Sequence, residues 1–160
     1  MAMAAPATRD SWQNKPMPEA RVRLAYERRF TAEEHGRLAM GIVPRNSDDK
    51  WFIFLEADWL YLHRSWTGAC MYAVRLEAAD GGSEVAEAWA NRAPEQYTRT
   101  DDDYDARLLR FLVDRLLLGQ DAPFPVPEAI AGEDRAALYR QHVAGHERTN
   151  EDEGGNSPLN

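Results

Sequence analysis

The sequence predicts an α+β domain in which an antiparallel β-meander of about four strands is covered on one face by a long amphipathic helix. Three observations predict this fold. Segments of strand-forming residues recur between residues 51 and 91 with only short turns between them, which favours hairpin connections over crossover units. From Thr100 the apolar residues instead recur at helical spacing. A chain of 160 residues can also bury a core without disulfides.

The four predicted strands cover residues 51–55, 59–65, 69–77 and 84–91. The first, WFIFL, is a continuous apolar run, typical of a strand that is buried on both faces. Side-chain alternation assigns faces in the next two strands. In the second strand it groups Leu60, Leu62, Arg64 and Trp66 on one face and Trp59, Tyr61, His63 and Ser65 on the other. In the third strand it groups Cys70, Tyr72, Val74 and Leu76 on one apolar face.

Two helix signals flank these strands in the sequence. Thr31 and Glu34 have the spacing of a capping box, which predicts a helix over 32–40 that Gly41 ends in a left-handed conformation. We expect this helix to cover an edge or an end of the sheet. The main helix is predicted at about 103–118. An acidic run precedes it and indicates its start, because carboxylates stabilise the positive end of a helix dipole.

The ends of the chain differ in composition from its middle. Three prolines and several alanines predict a flexible N-terminal arm at 1–18. A single α+β domain is predicted at 19–146, in which 19–29 forms a short helix or strand and 133–146 a last helix. Residues 147–160, rich in Glu, Asn and Gly, are predicted to be a disordered acidic tail.

Charge and composition exclude several classes of function. The formal net charge of −8 disfavours a nucleic-acid binder, which needs cations against phosphate, but permits a basic protein partner. No apolar stretch is long enough to cross a bilayer, and no secretory signal is recognisable. Cys70 is the single cysteine, so an internal disulfide and a cysteine zinc site are excluded. We therefore expect a cytoplasmic protein that does not interact with membranes.

The sequence contains no pattern of a resident cofactor or metal. It has no phosphate-binding glycine loop, no dinucleotide fingerprint and no CxxC pair. His142 and His146 are four residues apart, but Val143 stands where a zinc protease needs glutamate. The acidic run Asp101–Asp103 matches no calcium loop and is better explained as helix capping. We expect neither a cofactor nor a metal ion.

Two polar clusters indicate the best candidate site, the HRSWTG segment at 63–68 and the loop at 91–97. An arginine fork, hydroxyls and a glycine amide are the groups that bind phosphate or carboxylate. If both clusters meet at one end of the sheet, they form a pocket for a small anionic or nucleotide-like ligand. Its predicted ligand-binding residues are Arg64, Ser65, Thr67, Asn91, Arg92 and Tyr97. The structural alternative is that Arg64 is partly buried and paired with an acid from 101–105.

Two other functions are considered. The small size, the acidity and an aromatic strand face at Trp59 and Tyr61 are compatible with a protein-interaction partner of the antitoxin or immunity type. Alternatively, His63 and Ser65 share a strand face, so the protein could be a hydrolase or transferase with these two catalytic residues. That alternative requires a hydrogen bond between them and an orienting carboxylate, and the chain has no GxSxG motif.

The segments KWFIF, LYLHRSWTG, NRAPEQY and DDDYDARLLRFLVDRLLLG together resemble a group of small bacterial proteins. The resemblance covers about residues 30–119, and HRSWTG is its most specific part. It implies a bacterial, intracellular setting. Because the group has no established activity, it assigns no functional residue in this chain.

Overall fold

The structure is a computed structural model that describes residues 5–46, 48–96, 101–122 and 124–125. It confirms an α+β fold with an antiparallel sheet, but the sheet has six strands instead of about four. The strands are β1 Arg21–Leu24, β2 Arg29–Thr31, β3 Trp51–Glu56, β4 Trp59–Arg64, β5 Cys70–Ala79 and β6 Gly82–Asn91. Strands β3 to β6 form the predicted meander. The sheet order is β1-β6-β5-β4-β3, and β2 also pairs with β6.

Of the two additional strands, β1 lies within residues 19–29, for which the sequence left helix or strand open, whereas β2 begins at the end of that segment and runs to Thr31. β1 pairs with the last residues of β6, and β2 pairs with its first residues, from Arg29 opposite Glu84 to Thr31 opposite Gly82. With four and three residues, these strands are too short to show a clear alternation. They form because β6 is ten residues long and offers a free edge to both.

Helix α1 spans Ala32–Met40, as predicted, and begins at the predicted capping box. The Thr31 hydroxyl accepts the Glu34 amide, and the Glu34 carboxylate accepts the Thr31 amide. Gly41 follows with a φ of 63° and a ψ of −162°, so it has a positive φ but not the predicted αL conformation. A Cβ at Gly41 would lie 2.2 Å from the Ile53 carbonyl oxygen, so the close approach of this turn to β3 requires glycine.

The prediction of one continuous α-helix at about 103–118 is wrong. Helix α2 spans Asp102–Phe111, and the chain then continues as a π-helical segment over Leu112–Leu117. The Leu118 amide donates to the Val113 carbonyl five residues earlier at 3.0 Å, which is the π-type spacing. The wider turn lets the adjacent Leu112 and Val113 both reach the core, where each is fully buried.

The two faces of the sheet have different covers. The first face carries the main core, in which Leu60, Leu62 and Val74 pack with the buried side chains of α1, α2 and the π-helical segment. The second face carries a smaller cluster, in which Phe52 and Phe54 pack against Ala7 of the N-terminal segment. The WFIFL strand is therefore buried on both faces, as its composition predicts.

The predicted grouping of Cys70 with Tyr72 is wrong. His63 pairs with Cys70 and Leu62 with Tyr72, so Met71 is an extra residue in β5. This β-bulge reverses the alternation: Ala69, Met71 and Tyr72 belong to the main core, whereas Cys70 does not. As the register partner of His63, Cys70 lies on the second face, where burial raises its thiol pKa to about 12.

Two predictions lie wholly outside the described residues. The helix predicted at 133–146 and the tail predicted at 147–160 lie beyond the described residues. Within the described residues, no helix has both the length and the apolar composition needed to span a membrane.

Candidate functional site

The HRSWTG turn is held together by hydrogen bonds within the protein. The buried Ser65 hydroxyl donates to the Asp49 carbonyl at 2.7 Å, and the Thr67 hydroxyl accepts the Ala69 amide at 3.2 Å. The Arg64 guanidinium lies over the Trp51 ring, 5.1 Å from its centroid. The Ser65 hydroxyl therefore fixes the turn, and among the predicted residues of this turn Thr67 is the exposed one.

The second predicted cluster also bonds to the protein itself. The Asn91 side chain is fully buried, donates to the Cys70 carbonyl and Gln96, and accepts the Ala93 amide. Arg92 pairs at 2.7 Å with both Asp102 and the fully buried Asp105 of α2. The acidic run thus pairs with Arg92, whereas the sequence suggested Arg64 as its partner. Tyr97 lies outside the described residues.

The two clusters leave the same end of the sheet and are connected through packed side chains. Arg64 covers Trp51, whose ring stacks on that of Tyr72 with centroids 6.1 Å apart. The Tyr72 hydroxyl donates to Asp105 at 2.7 Å, and Asp105 pairs with Arg92. The predicted convergence of the two loops is therefore realised as a buried network, which ties α2 to the sheet.

His63 and Ser65 are not arranged as a nucleophile and its base. The His63 ring lies among the rings of Phe52, Phe54 and Tyr61, with centroids 5.5 to 6.4 Å away, and its Nδ1 has no hydrogen-bond partner in the described chain. Burial lowers the pKa of His63 to about 4. Since Ser65 donates to a carbonyl, the geometry gives the hydrolase alternative no support.

A groove opens on the second face of the sheet, at a place that neither predicted cluster includes. One register row crosses the sheet from Phe54 through Tyr61, Ala73 and Trp89 to Arg23. Register partners project from the same face, so the small side chain of Ala73 lies between two aromatic ones. The resulting groove has a volume of about 260 Å³ and is lined by Met17, Arg21, Trp59, Tyr61, Ala73, Glu87 and Trp89.

The two charged residues that line this groove, Glu87 and Arg21, differ in whether they have an oppositely charged partner. The Glu87 carboxylate accepts Trp89 Nε1 and Arg75 Nε, each at 2.7 Å, and these two hydrogen bonds lower its pKa. Arg21 lies over the Trp89 ring at 5.1 Å and donates to the Pro18 carbonyl, but forms no ion pair with any acid in the described ranges. The carboxylate that lines the groove is therefore engaged by two donors, whereas its guanidinium has no carboxylate partner within the described ranges.

The N-terminal segment forms part of the groove. Met17 lines it, and the Arg9 guanidinium lies 5.5 Å from the centroid of the Tyr61 ring that forms a wall. The sequence prediction of a flexible arm at 1–18 did not anticipate these contacts.

The sequence predicted no groove at this place. Alternation correctly places Trp59 and Tyr61 on the face opposite Leu60, but as an aromatic strand face for a protein partner. It missed Ala73, Trp89 and Arg21, because only the pairing of β5 with β6 and β1 brings them beside Tyr61. The Ala-rich sequence of β6, with a tryptophan at position 89, was the available signal.

The fold and this groove define an α+β domain with an aromatic face on an antiparallel sheet. Comparison of the chain with protein-family models, curated protein sequences and solved structures gives no match. Across the described ranges, no three His, Cys, Asp or Glu side chains form a cluster that could bind a metal ion. Function is therefore argued from the groove.

Proposed function

We propose that this protein is a small-molecule-binding module whose ligand combines a planar ring with an anionic group, as a nucleotide does. The observation that carries the proposal is the row Tyr61–Ala73–Trp89 on adjacent strands. The two aromatic residues are two strand spacings apart, about 9–10 Å. That separation suits a ring stacked offset between them, since stacked centroids lie about 4.5–7 Å apart.

The size of the groove restricts the ligand. Its volume of about 260 Å³ is slightly below the roughly 300–1,000 Å³ that is usual for ligand sites. It can enclose a ring system but not a whole dinucleotide. The other parts of the ligand would extend over the surface towards Arg21, whose guanidinium can bind a phosphate or carboxylate.

The groove is favoured over the two loops as the ligand site because of what their side chains contact. Asn91 donates to the Cys70 carbonyl and to Gln96, and Arg92 pairs with two carboxylates of α2, so a ligand would have to replace internal partners of these groups. In the groove, the aromatic walls are half-buried and Arg21 is exposed, so a ligand can contact them without replacing the partners of fully buried groups. The loop site built on Arg64, Thr67 and Tyr97 stays a prediction, and the experiment below includes it.

Adenosine 5′-monophosphate is a suitable first probe, with adenosine as its uncharged counterpart. We expect it to quench tryptophan fluorescence through Trp59 and Trp89 and to raise the melting temperature. Adenosine should bind about tenfold more weakly, because it lacks the charge-assisted contact to Arg21.

Variants test the placement of the ligand. Ala73→Leu should abolish binding by filling the groove between Tyr61 and Trp89, whereas Ala78→Leu on an exposed part of the same strand should not. Arg21→Ala should weaken binding of the monophosphate but not of adenosine. If Arg64→Ala removes binding and Arg21→Ala does not, the ligand occupies the loop site. If no nucleotide or other anion with a planar ring binds, the proposal is wrong.

A protein-interaction function is a second candidate, supported by one observation. The Trp66 side chain is 59% exposed at the tip of the HRSWTG turn, and exposed tryptophans are frequent anchors of interfaces. With a net charge of −8, the expected partner is basic. In this case one stoichiometric basic protein should co-purify with the wild-type chain, be lost in Trp66→Ala and be retained in Trp89→Ala.

A further inference from the structure

The N-terminal segment 7–17, called the arm below, is attached to the sheet at two separated places. At its start, the Ala7 amide donates to the Met40 carbonyl at the end of α1, and near its end the Lys15 amide donates to the Gly68 carbonyl, both at 2.8 Å. Between these points Trp12 Nε1 donates to the Ser65 carbonyl at 2.8 Å. The arm therefore follows a defined path across the second face.

Arg9 connects the arm to a wall of the groove. Its guanidinium lies 5.1 Å from the Phe54 centroid and 5.5 Å from the Tyr61 centroid. It also forms an ion pair with Glu56, in which Arg9 Nε donates to a carboxylate oxygen at 3.1 Å. The arm thus contacts the Tyr61 ring on one side. The groove lies on the other side, where Tyr61 neighbours Ala73.

We propose that the arm is a part of the ligand site, so that ligand binding and docking of the arm stabilise each other. This inference rests on the proposed function. When the arm is docked, Met17 supplies one wall of the groove and Arg9 holds Tyr61 in place. When it leaves the sheet, both contributions are lost. A ligand that binds better to the docked form must by linkage favour docking to the same extent.

The contacts that hold the arm are of a kind that can open without global unfolding. The side chains of Arg9 and Glu56 are 45% and 50% exposed, and such ion pairs contribute little to stability. Apart from Ala7, every described residue of the arm is exposed or half-buried. Segments with few buried contacts open locally at a lower free energy than the core.

Proteolysis after Trp12 reports the docked state directly. Its indole bonds to the Ser65 carbonyl in the docked arm, so chymotrypsin requires the arm to leave the sheet. We expect saturating adenosine 5′-monophosphate to slow this cleavage several-fold in the full chain, as followed by mass spectrometry. Tryptophan fluorescence measures the affinity in the same samples.

The Arg9–Glu56 pair provides the test by mutation. Arg9→Ala and Glu56→Ala should each speed cleavage after Trp12 and weaken ligand binding about three- to tenfold, with the melting temperature nearly unchanged. The exchanged pair Arg9→Glu with Glu56→Arg should recover part of both effects. The matched control is Arg29→Ala, which removes an exposed ion pair with Glu84 on the far edge of the sheet and should change neither readout.

The outcomes separate the two proposals. If the wild-type chain binds the monophosphate but cleavage after Trp12 is not slowed and Arg9→Ala binds with unchanged affinity, the arm is not coupled to the site and the binding function stands. If the wild-type chain binds no planar anion, the proposed function is wrong and the coupling fails with it. The coupling is supported if the monophosphate slows cleavage of the wild-type chain and both single variants show faster cleavage and weaker binding.

Discussion

Both faces of the sheet bury apolar side chains, but the two faces are closed by different means. On the first face, α1, α2 and the π-helical segment cover the strands with a continuous apolar core. On the second face, a short irregular arm covers Phe52 and Phe54 and leaves the groove between Tyr61 and Trp89 open. Helices can cover a whole sheet face because their apolar stripes are continuous. An arm with few apolar side chains covers only a part, and the remainder stays open as the groove.

The two faces also differ in how deeply their charged side chains are buried. The first face has a buried carboxylate at Asp105, held by Tyr72 and by a guanidinium of which only 14% is exposed. On the second face, the Arg9–Glu56 pair lies near the surface, and the buried His63 ring is kept neutral. Because Asp105 is buried, we expect the first-face pair to be needed for stability, whereas the more exposed second-face pair should contribute little. The predictions below test this contrast.

Arg92→Ala should have the largest effect. It leaves the fully buried Asp105 carboxylate without its guanidinium, and breaking a buried pair in this way typically costs about 3–5 kcal/mol of the free energy of unfolding. Urea unfolding measures the loss. The control is Arg107→Ala, whose partner Asp103 is 85% exposed, and it should cost little. A small effect of Arg92→Ala would show that the network is not needed for stability.

His63 should make the second face sensitive to acid. In the unfolded chain a histidine binds a proton near its ordinary pKa of 6.5, whereas in the folded protein burial holds the pKa of His63 at about 4. The unfolded state therefore binds more protons between these values, and stability falls as the pH falls through this window. The loss attributable to His63 between pH 7 and pH 5 is about 2 kcal/mol.

The test for His63 is a comparison of unfolding curves at the two pH values. His63→Phe keeps a planar ring among the aromatic neighbours and removes the titration, so its stability should fall less than that of the wild type. The control is His35→Asn, which removes a different histidine, one whose ring nitrogen hydrogen-bonds to Ser83. Parallel losses in the wild type and His63→Phe would assign the acid sensitivity to other groups.

Ala57→Gly should stabilise the hairpin of β3 and β4, which carries residues of both faces. Ala57 has a φ of 55°, a conformation that L-residues other than glycine adopt at a cost. Glycine relieves this strain, and the expected gain in the free energy of unfolding is about 1 kcal/mol, partly offset by its greater freedom in the unfolded chain. Ala78→Gly in the exposed part of β5 should instead be destabilising, as is usual for glycine within a strand.

Arg9→Ala should have the smallest effect on global stability, below about 1 kcal/mol, since exposed ion pairs contribute little. Urea unfolding under the conditions used for Arg92→Ala gives the direct comparison. A loss as large as that of Arg92→Ala would mean that the arm is an integral part of the core, and the contrast between the two faces would then be wrong.

The sequence predicted individual elements more accurately than their partners. The capping box placed α1 correctly, and the predicted strands of the meander agree with β3 to β6 to within two residues at every strand end. Alternation also separated Leu60 and Leu62 from Trp59 and Tyr61. It failed at Cys70, because the extra residue Met71 in the bulge reverses the faces, and alternation contains no information about a bulge.

The candidate site shows the same division. HRSWTG was chosen because its residue types suit anion binding, but residue type does not reveal whether a hydroxyl already has an internal partner, as the Ser65 hydroxyl does. The pairing of Arg92 with Asp105 also depends on where α2 docks on the sheet. These are contacts between residues far apart in the chain, which local patterns do not encode.

The sequence by itself determined the class of fold, the two faces of β4 and the beginnings of both helices, because alternation, helical spacing and capping are local properties of the chain. Only the tertiary structure decided that β6 receives two further strands, that α2 continues as a π-helical segment, and that Ala73 lies between Tyr61 and Trp89. The physical reason is register: a groove on a sheet exists only once separate strands are aligned, and that alignment is set by the packing of the whole domain.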